Sequence, residues 1–191
     1  MTREIALIIL NRGLRSFIFG ILFAVLAIYL SKVGMTSIQI GIVIALSGGT
    51  AAVWTLGGGL LADRYGRKKM LLVYGVAITA SSACLLLTRD HVLLTTILSA
   101  SALASFAPGG GPVVAAEQAL LSDKVSSVRR TTVFAAISLV GSFATAIGAY
   151  SGAITTFLQG FGWNEIDSYE PLFVAMVVSA LLSVAVALVI K

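Results

Sequence analysis

Residues 59–71 read GLLADRYGRKKML. They leave a long apolar run, turn through Asp63, Arg64, Gly66, Arg67, Lys68 and Lys69, and enter a second apolar run at Met70. Two apolar runs of about 20 residues joined by so short a charged link are two membrane spans and a tight loop. The arginine and lysine cluster assigns that loop to the cytoplasmic side.

The same layout extends along the chain. Six segments are long enough to cross a bilayer, at about 20 residues each: roughly 11–30, 37–60, 70–88, 92–120, 131–158 and 171–190. A short amphipathic lead, residues 5–10, precedes the first. Arg89, Asp90 and His91 make a minimal turn, and residues 159–170 form a longer polar loop. The 191 residues are 58% hydrophobic and 11% charged, with a mean hydropathy of +1.02. A soluble domain carries about 25% charged residues, so composition and pattern agree on an all-α membrane protein. The net charge of +5 sits in short clusters at span ends, with no basic stripe of the kind that binds nucleic acid. Cys84 is the only cysteine and His91 the only histidine, which leaves no disulfide framework and no cysteine zinc site. No metal and no cofactor is expected.

Orientation follows from the basic residues. Of thirteen, only Lys32 and Arg89 fall on one side, while eleven, including Arg3, Arg12, Arg15, Arg64 and Lys124, fall on the other. That majority side is the cytoplasm, with both termini inside. The expected location is the plasma membrane. Small residues recur at helix-contact spacing: Ser16, Gly20 and Ala24 in the first span; Gly41, Ala45, Gly49 and Gly57 in the second; Gly141, Thr145, Gly148 and Gly152 in the fifth. Such ridges let helices approach closely in lipid. The sixth span, PLFVAMVVSALLSVAVALVI, has no glycine, which suits a peripheral helix.

The opening stretch also fits G-x-L-A-D-R-x-G-R-K-x-x-L at all nine specified positions. It resembles the loop between the second and third helices of major facilitator superfamily transporters. The resemblance implies the N-terminal six-helix half of a 12-helix fold, with helices one, two, four and five lining a central cavity and three and six outside. It further implies a switch loop made of Gly59, Asp63, Arg64, Gly66, Arg67 and Lys68, whose charges hold two halves together on the cytoplasmic side. The alternative is a simple positive-inside anchor, which leaves Asp63 and the glycines unexplained. An overlapping G-x-G-x-x-A at Gly57, Gly59 and Ala62 lacks the strand and the distal acid that a dinucleotide site needs.

Three more groups bear on mechanism. Glu117, followed by Arg129 and Arg130, resembles the family's acid-then-arginine pattern between helices four and five. The reading that remains open is that Glu117 merely reaches water at a helix end. Pro108, Gly109, Gly110, Gly111 and Pro112 must break or kink the fourth span, either as a hinge or to aim backbone amides at substrate. Arg15, Phe19, Phe23, Thr50, Trp54, Ser105, Ser142 and Thr145 fall in a candidate cavity layer, and packing alone accounts equally for each. The centres of the spans hold no Asp, Glu or His, so no proton carrier is evident.

The function expected is transport of a small solute by alternating access, not catalysis. The expected partners are the lipid bilayer, the small-molecule substrate and a second six-helix half, as a separate chain, a missing C-terminal half or a homodimer. The alternative is a non-transporting six-helix membrane partner or a truncated remnant.

Overall fold

Long apolar runs in lipid become helices because a helix satisfies its backbone hydrogen bonds within one segment. The computed structural model describes residues 3–100 and 127–189, with the backbone alone at 58–63, 65, 67 and 127–129. The helices are α1 (Arg3–Lys32), α2 (Ser37–Tyr65), α3 (Arg67–Leu87), α4 (His91–Ala100), α5 (Ser127–Ser151), α6 (Ala153–Gly160) and α7 (Glu170–Val189), and α7 follows a 3-10 turn at Asp167–Tyr169. No strand occurs among the described residues. Five stretches there are long and apolar enough to cross a membrane: Arg3–Lys32, Ser37–Gly57, Lys68–Leu87, Arg130–Gly160 and Asp167–Val189. Of the fourth expected span, only α4 lies within the described residues.

Two element boundaries differ from expectation. The amphipathic lead is not separate, because α1 runs unbroken from Arg3 through 30 residues. Nothing between Ile5 and Asn11 interrupts helical hydrogen bonding, and Ile5, Ile8 and Asn11 are all buried. The charged loop is also shorter than its sequence suggests. Residues 61–65 and 67–69 are helical, so Gly66 is the single non-helical residue between α2 and α3. Charged side chains do not oppose helix formation once the chain has left the hydrocarbon, so both helices project beyond it.

Local signals fix the other ends. Thr36 and Gln39 form a reciprocal capping box: Gln39 N donates to Thr36 Oγ1 at 3.3 Å and Thr36 N donates to Gln39 Oε1 at 2.8 Å. Asp90 caps α4 by accepting from Leu93 N at 2.8 Å.

The first helix is the hub of the packing. Ile18, Ile21, Leu22, Val25, Leu26, Tyr29 and Leu30 share one core with Leu85 of α3, Leu94 and Leu98 of α4, and Leu172, Phe173 and Met176 of α7. Tyr29 meets Phe173 edge-on at 4.7 Å and donates to the Leu85 carbonyl at 3.3 Å. Helix α7, glycine-free and expected at the periphery, packs one face on α1 and α3 and turns Val174, Val178, Leu181 and Leu182 outward. Its close fit to α3 depends on Gly75, where an added Cβ would lie 2.7 Å from a Val184 methyl.

The α1–α5 contact is closer still. A Cβ on Gly20 would strike the Thr145 carbonyl oxygen and sit 2.9 Å from Ala149 N. One on Gly148 would strike the Phe17 carbonyl oxygen and sit 3.1 Å from Gly20 Cα. The expected ridges of the first and fifth spans therefore interlock. The glycines of the second ridge meet no such partner: Gly41, Gly49 and Gly57, like the neighbouring Gly48, have nothing within 4 Å among the described residues.

Candidate functional site

The charged turn is built around Gly66, whose φ of 96° belongs to the left-handed region. That conformation reverses the chain in one residue, so α3 starts directly after α2 ends. Arg64 and Lys69 are exposed, and Lys68 Nζ donates to the Leu188 carbonyl at 3.0 Å. A cation at the last turn of α7 complements the negative end of that helix. The turn is thereby joined to the same end of the bundle as the end of α7. The backbone of Gly59, Asp63 and Arg67 is described but their side chains are not, so the proposed charge network lies largely outside the described residues. Glu117, Ser105 and the segment from Pro108 through Gly109, Gly110 and Gly111 to Pro112 fall outside them entirely, as does the side chain of Arg129. Arg130 is exposed near the start of α5.

The described candidate cavity residues differ in their surroundings. Trp54 sits where three helices meet: its Nε1–H donates to the Ala100 carbonyl of α4 at 3.4 Å, and its ring meets Tyr74 of α3 edge-on at 5.6 Å. Thr145 lies in the α1–α5 crossing, its hydroxyl donating to the Gly141 carbonyl at 2.9 Å. Phe19 and Phe23 stack at 6.1 Å with Phe23 turned outward, and Ser142 is exposed on α5. Thr50 and Arg15 are half-buried. Next to Arg15 on α1, the side chain of Arg12 lies across Gly141, its Nε 3.3 Å from where a Cβ would stand. Helix–helix packing thus claims Trp54 and Thr145, while Phe23 and Ser142 present open faces.

Several polar contacts had no counterpart in the sequence reading. Asn11 is 2% exposed and accepts from the Ser183 hydroxyl at 2.5 Å, which joins α1 to α7. The Ser47 hydroxyl donates to the Leu98 carbonyl at 3.2 Å, which joins α2 to α4. At the end of the bundle opposite the charged turn, Lys32 pairs with Glu165 at 2.8 Å and Arg89 with Asp167 at 2.6 Å. His91 Nε2 lies 3.2 Å from the Val33 carbonyl, so the loops after α1, α3 and α6 meet there. The two basic residues set apart by the charge count thus neutralise the acidic loop on their own side.

With these spans, the positive-φ turn and the interlocked helices in place, comparison with known sequences gives one family. The family model described as Major Facilitator Superfamily matches residues 8–191. The chain belongs to the Major Facilitator Superfamily.

It is 35% identical over 127 residues to an inner membrane transport protein of Escherichia coli (strain K12), YajR. That alignment covers 66% of this chain and 26% of the relative. It is 25% identical over 184 residues to an uncharacterized membrane protein of Saccharomyces cerevisiae, YJR124C, covering 90% of this chain and 39% of the relative. The chain therefore spans well under half the length of the curated relatives it matches. As a member of this transporter family it is an integral, multi-pass membrane protein, and the family is not one of enzymes.

Proposed function

We propose that this chain is a six-helix half of a secondary transporter that moves a small solute by alternating access. The observation that carries the reading is the family match over residues 8–191. The geometry supports it. The α1–α5 and α1–α3–α7 contacts bind most of the half into one body, while wide faces of α2 and α5 remain uncovered among the described residues. A body that moves whole against a second half is what alternating access needs. In this reading Asp63, Arg64 and Arg67, with Glu117, Arg129 and Arg130, form the cytoplasmic charge network, and residues 108–112 serve as a hinge. The membrane is the plasma membrane and both termini are cytoplasmic.

Two experiments test it. In a Cys84→Ala background, Lys69→Cys and Asn164→Cys should react with an impermeant maleimide from opposite faces of intact cells and inverted vesicles. Reaction of both from one face sinks the topology. The transport reading needs the complete assembly, tested in vesicles against a panel of labelled small solutes. Asp63→Asn should slow uptake of the transported solute while insertion and abundance stay near normal. Uptake unchanged by Asp63→Asn reduces the loop to an anchor, and no uptake of any solute above empty vesicles favours a non-transporting partner.

A further inference from the structure

The apolar stretch Arg130–Gly160 is long enough to be one span, yet it divides at Gly152 into α5 and α6. Around that residue the backbone bonds step back three residues instead of four. Gly152 N donates to the Ala149 carbonyl at 3.1 Å and Thr155 N to the Gly152 carbonyl at 3.2 Å. Hydroxyls add to this tightened turn: Ser151 Oγ donates to the Gly148 carbonyl at 2.6 Å and Thr155 Oγ1 to the Gly152 carbonyl at 2.8 Å. A Ser-Gly pair and a turn of 3-10 bonding inside a helix are both known causes of a bend. One turn before the break, Gly148 is held against main-chain atoms of α1 that cannot yield. At the break the neighbour on α1 is a side chain, since a Cβ on Gly152 would lie 3.0 Å from a Val25 methyl. The rigid part of the span thus ends where the bend begins.

The segment after the break is a stiff piece with a joint at each end. Helix α6 ends in a Schellman motif, with Trp163 N donating to the Leu158 carbonyl at 3.2 Å and Gly162 at a φ of 87°. Gln159 Nε2 donates to the Ser168 hydroxyl at 3.0 Å, and that hydroxyl donates to the Glu165 carbonyl at 2.7 Å, so the loop is closed onto its helix. The far joint is the 3-10 turn Asp167–Tyr169, where the buried Tyr169 enters the core beside Tyr29. Two carboxylates of this piece reach other elements. Glu165 meets Lys32 at the end of α1 at 2.8 Å, and Asp167 meets Arg89, between α3 and α4, at 2.6 Å. Glu170 stands 4.0 Å from the same guanidinium. All of these side chains touch water, so each pair is weak alone and opens without unfolding anything.

We propose that residues 153–167 form a strap that pivots at Gly152 and is latched by the Lys32–Glu165 and Arg89–Asp167 pairs. The structure holds the latched form. Opening the pairs lets α6 swing about Gly152 while the α1–α5 crossing stays fixed, so the end of this span moves without the rest of the half. The strap does not rest on the transport reading. Its motion is measured without any solute, so its failure and that of transport are separate.

The test measures distances between nitroxide pairs in the complete protein in phospholipid vesicles, in the Cys84→Ala background. Leu87→Cys with Asn164→Cys spans the strap, and Leu87→Cys with Ile147→Cys spans the body. Because both pairs share Leu87, a local change at the end of α3 appears in both. In Lys32→Glu with Arg89→Glu the strap distance should lengthen and its distribution broaden, while the body distance stays as in the parent. Adding Glu165→Lys and Asp167→Lys, which rebuilds both pairs with the charges exchanged, should restore the parent distance. Adding Gly152→Ala to the charge-reversed protein should narrow the distribution, because alanine favours one continuous helix. In the parent, about 1 M potassium chloride, where the screening length falls to about 3 Å, should act like the charge reversal. That measurement depends on no charge variant folding. A strap distance that ignores charge reversal or salt overturns the latch, as does a charge exchange that restores nothing. Equal changes in both distances overturn the pivot in favour of a general loosening. A distribution that stays broad with Gly152→Ala places the joint elsewhere and overturns the hinge.

Discussion

The α1–α5 contact and the outer face of α2 carry the same kind of small residue at similar spacing, in opposite surroundings. At Gly20 and Gly148 the two backbones approach until no Cβ fits, and the neighbouring atoms are main-chain and cannot move aside. At Gly41, Gly48, Gly49 and Gly57 no described residue lies within 4 Å of an added Cβ. The pattern also separates whole helices. Only 11% of the apolar window in Ser37–Gly57 or Arg130–Gly160 is buried, against 44% in Arg3–Lys32 and 50% in Lys68–Leu87. Among the described residues, α5 thus spends its ridge on α1 and leaves its other side uncovered, whereas the ridge of α2 meets no partner. A glycine inside a helix costs roughly 1 kcal/mol relative to alanine, and in the crossing that cost is offset by close packing. On α2 nothing within the described residues offsets it, which is why that face is the place to look for another helix.

The largest expected effect is Gly148→Leu. A side chain there must push into the α1 backbone at Phe17 and Gly20, and overpacking against groups that cannot yield costs at least about 1–3 kcal/mol. The folded fraction in detergent and the melting temperature should fall sharply. A normal melt would mean the two helices do not interlock.

Asn11→Ala probes the α1–α7 seam. It strands the Ser183 hydroxyl inside a dry contact, a loss of roughly 1–2 kcal/mol by the range for interhelical hydrogen bonds. In a double-mutant cycle, adding Ser183→Ala should cost little more. Full additivity of the two changes would show that the pair is not coupled.

Gly66→Ala separates conformational strain from crowding. Among the described residues nothing lies within 4 Å of a Cβ at that position, so the penalty read there is conformational. With φ at 96° and ψ at 137° the residue lies outside the left-handed helical basin, near a region open essentially to glycine alone, where a Cβ costs about 1–3 kcal/mol. Thermal stability should therefore fall by a similar amount in Gly66→Asn and Gly66→Ala. Equal stability of all three would mean that the turn relaxes to another conformation.

Gly49→Ala should have the smallest effect on this chain. Helix propensity favours it by up to about 1 kcal/mol, and no contact among the described residues is lost, so the melt should stay level or rise slightly. Its use lies in the contrast with the complete assembly. If a second half packs on α2, the same substitution should weaken association of the halves, measured by co-purification or crosslinking. No change in either setting would leave α2 facing lipid.

Much of this was legible beforehand for physical reasons. Apolar runs of span length become helices in lipid, so an all-helical fold was legible, although α1 begins at Arg3, well before the expected residue 11. That the chain turns within residues 63–69 was legible from its charges, but that Gly66 alone makes the turn was not, since the sequence does not show how far each helix continues. Spacing alone also singled out Gly20 and Gly148. It could not distinguish them from Gly41 and Gly49, because a ridge records the capacity for close approach and not the partner. Trp54 and Thr145 illustrate the same limit at the candidate site. Their depth and chemistry suit a cavity, yet Trp54 joins α2 to α3 and α4, and Thr145 lies in the α1–α5 crossing.

The sequence by itself determined the all-helical membrane architecture and the family. These depend on properties that add along the chain: hydropathy, charge and a contiguous motif. Only the tertiary structure decided that α1 is the hub, that Asn11 meets Ser183 across 172 positions, and that Lys32 and Arg89 reach the acidic loop. Those are pairings between distant segments. Each depends on the rotation of one helix about its axis relative to another, and side-chain packing fixes that rotation in a way no local pattern records.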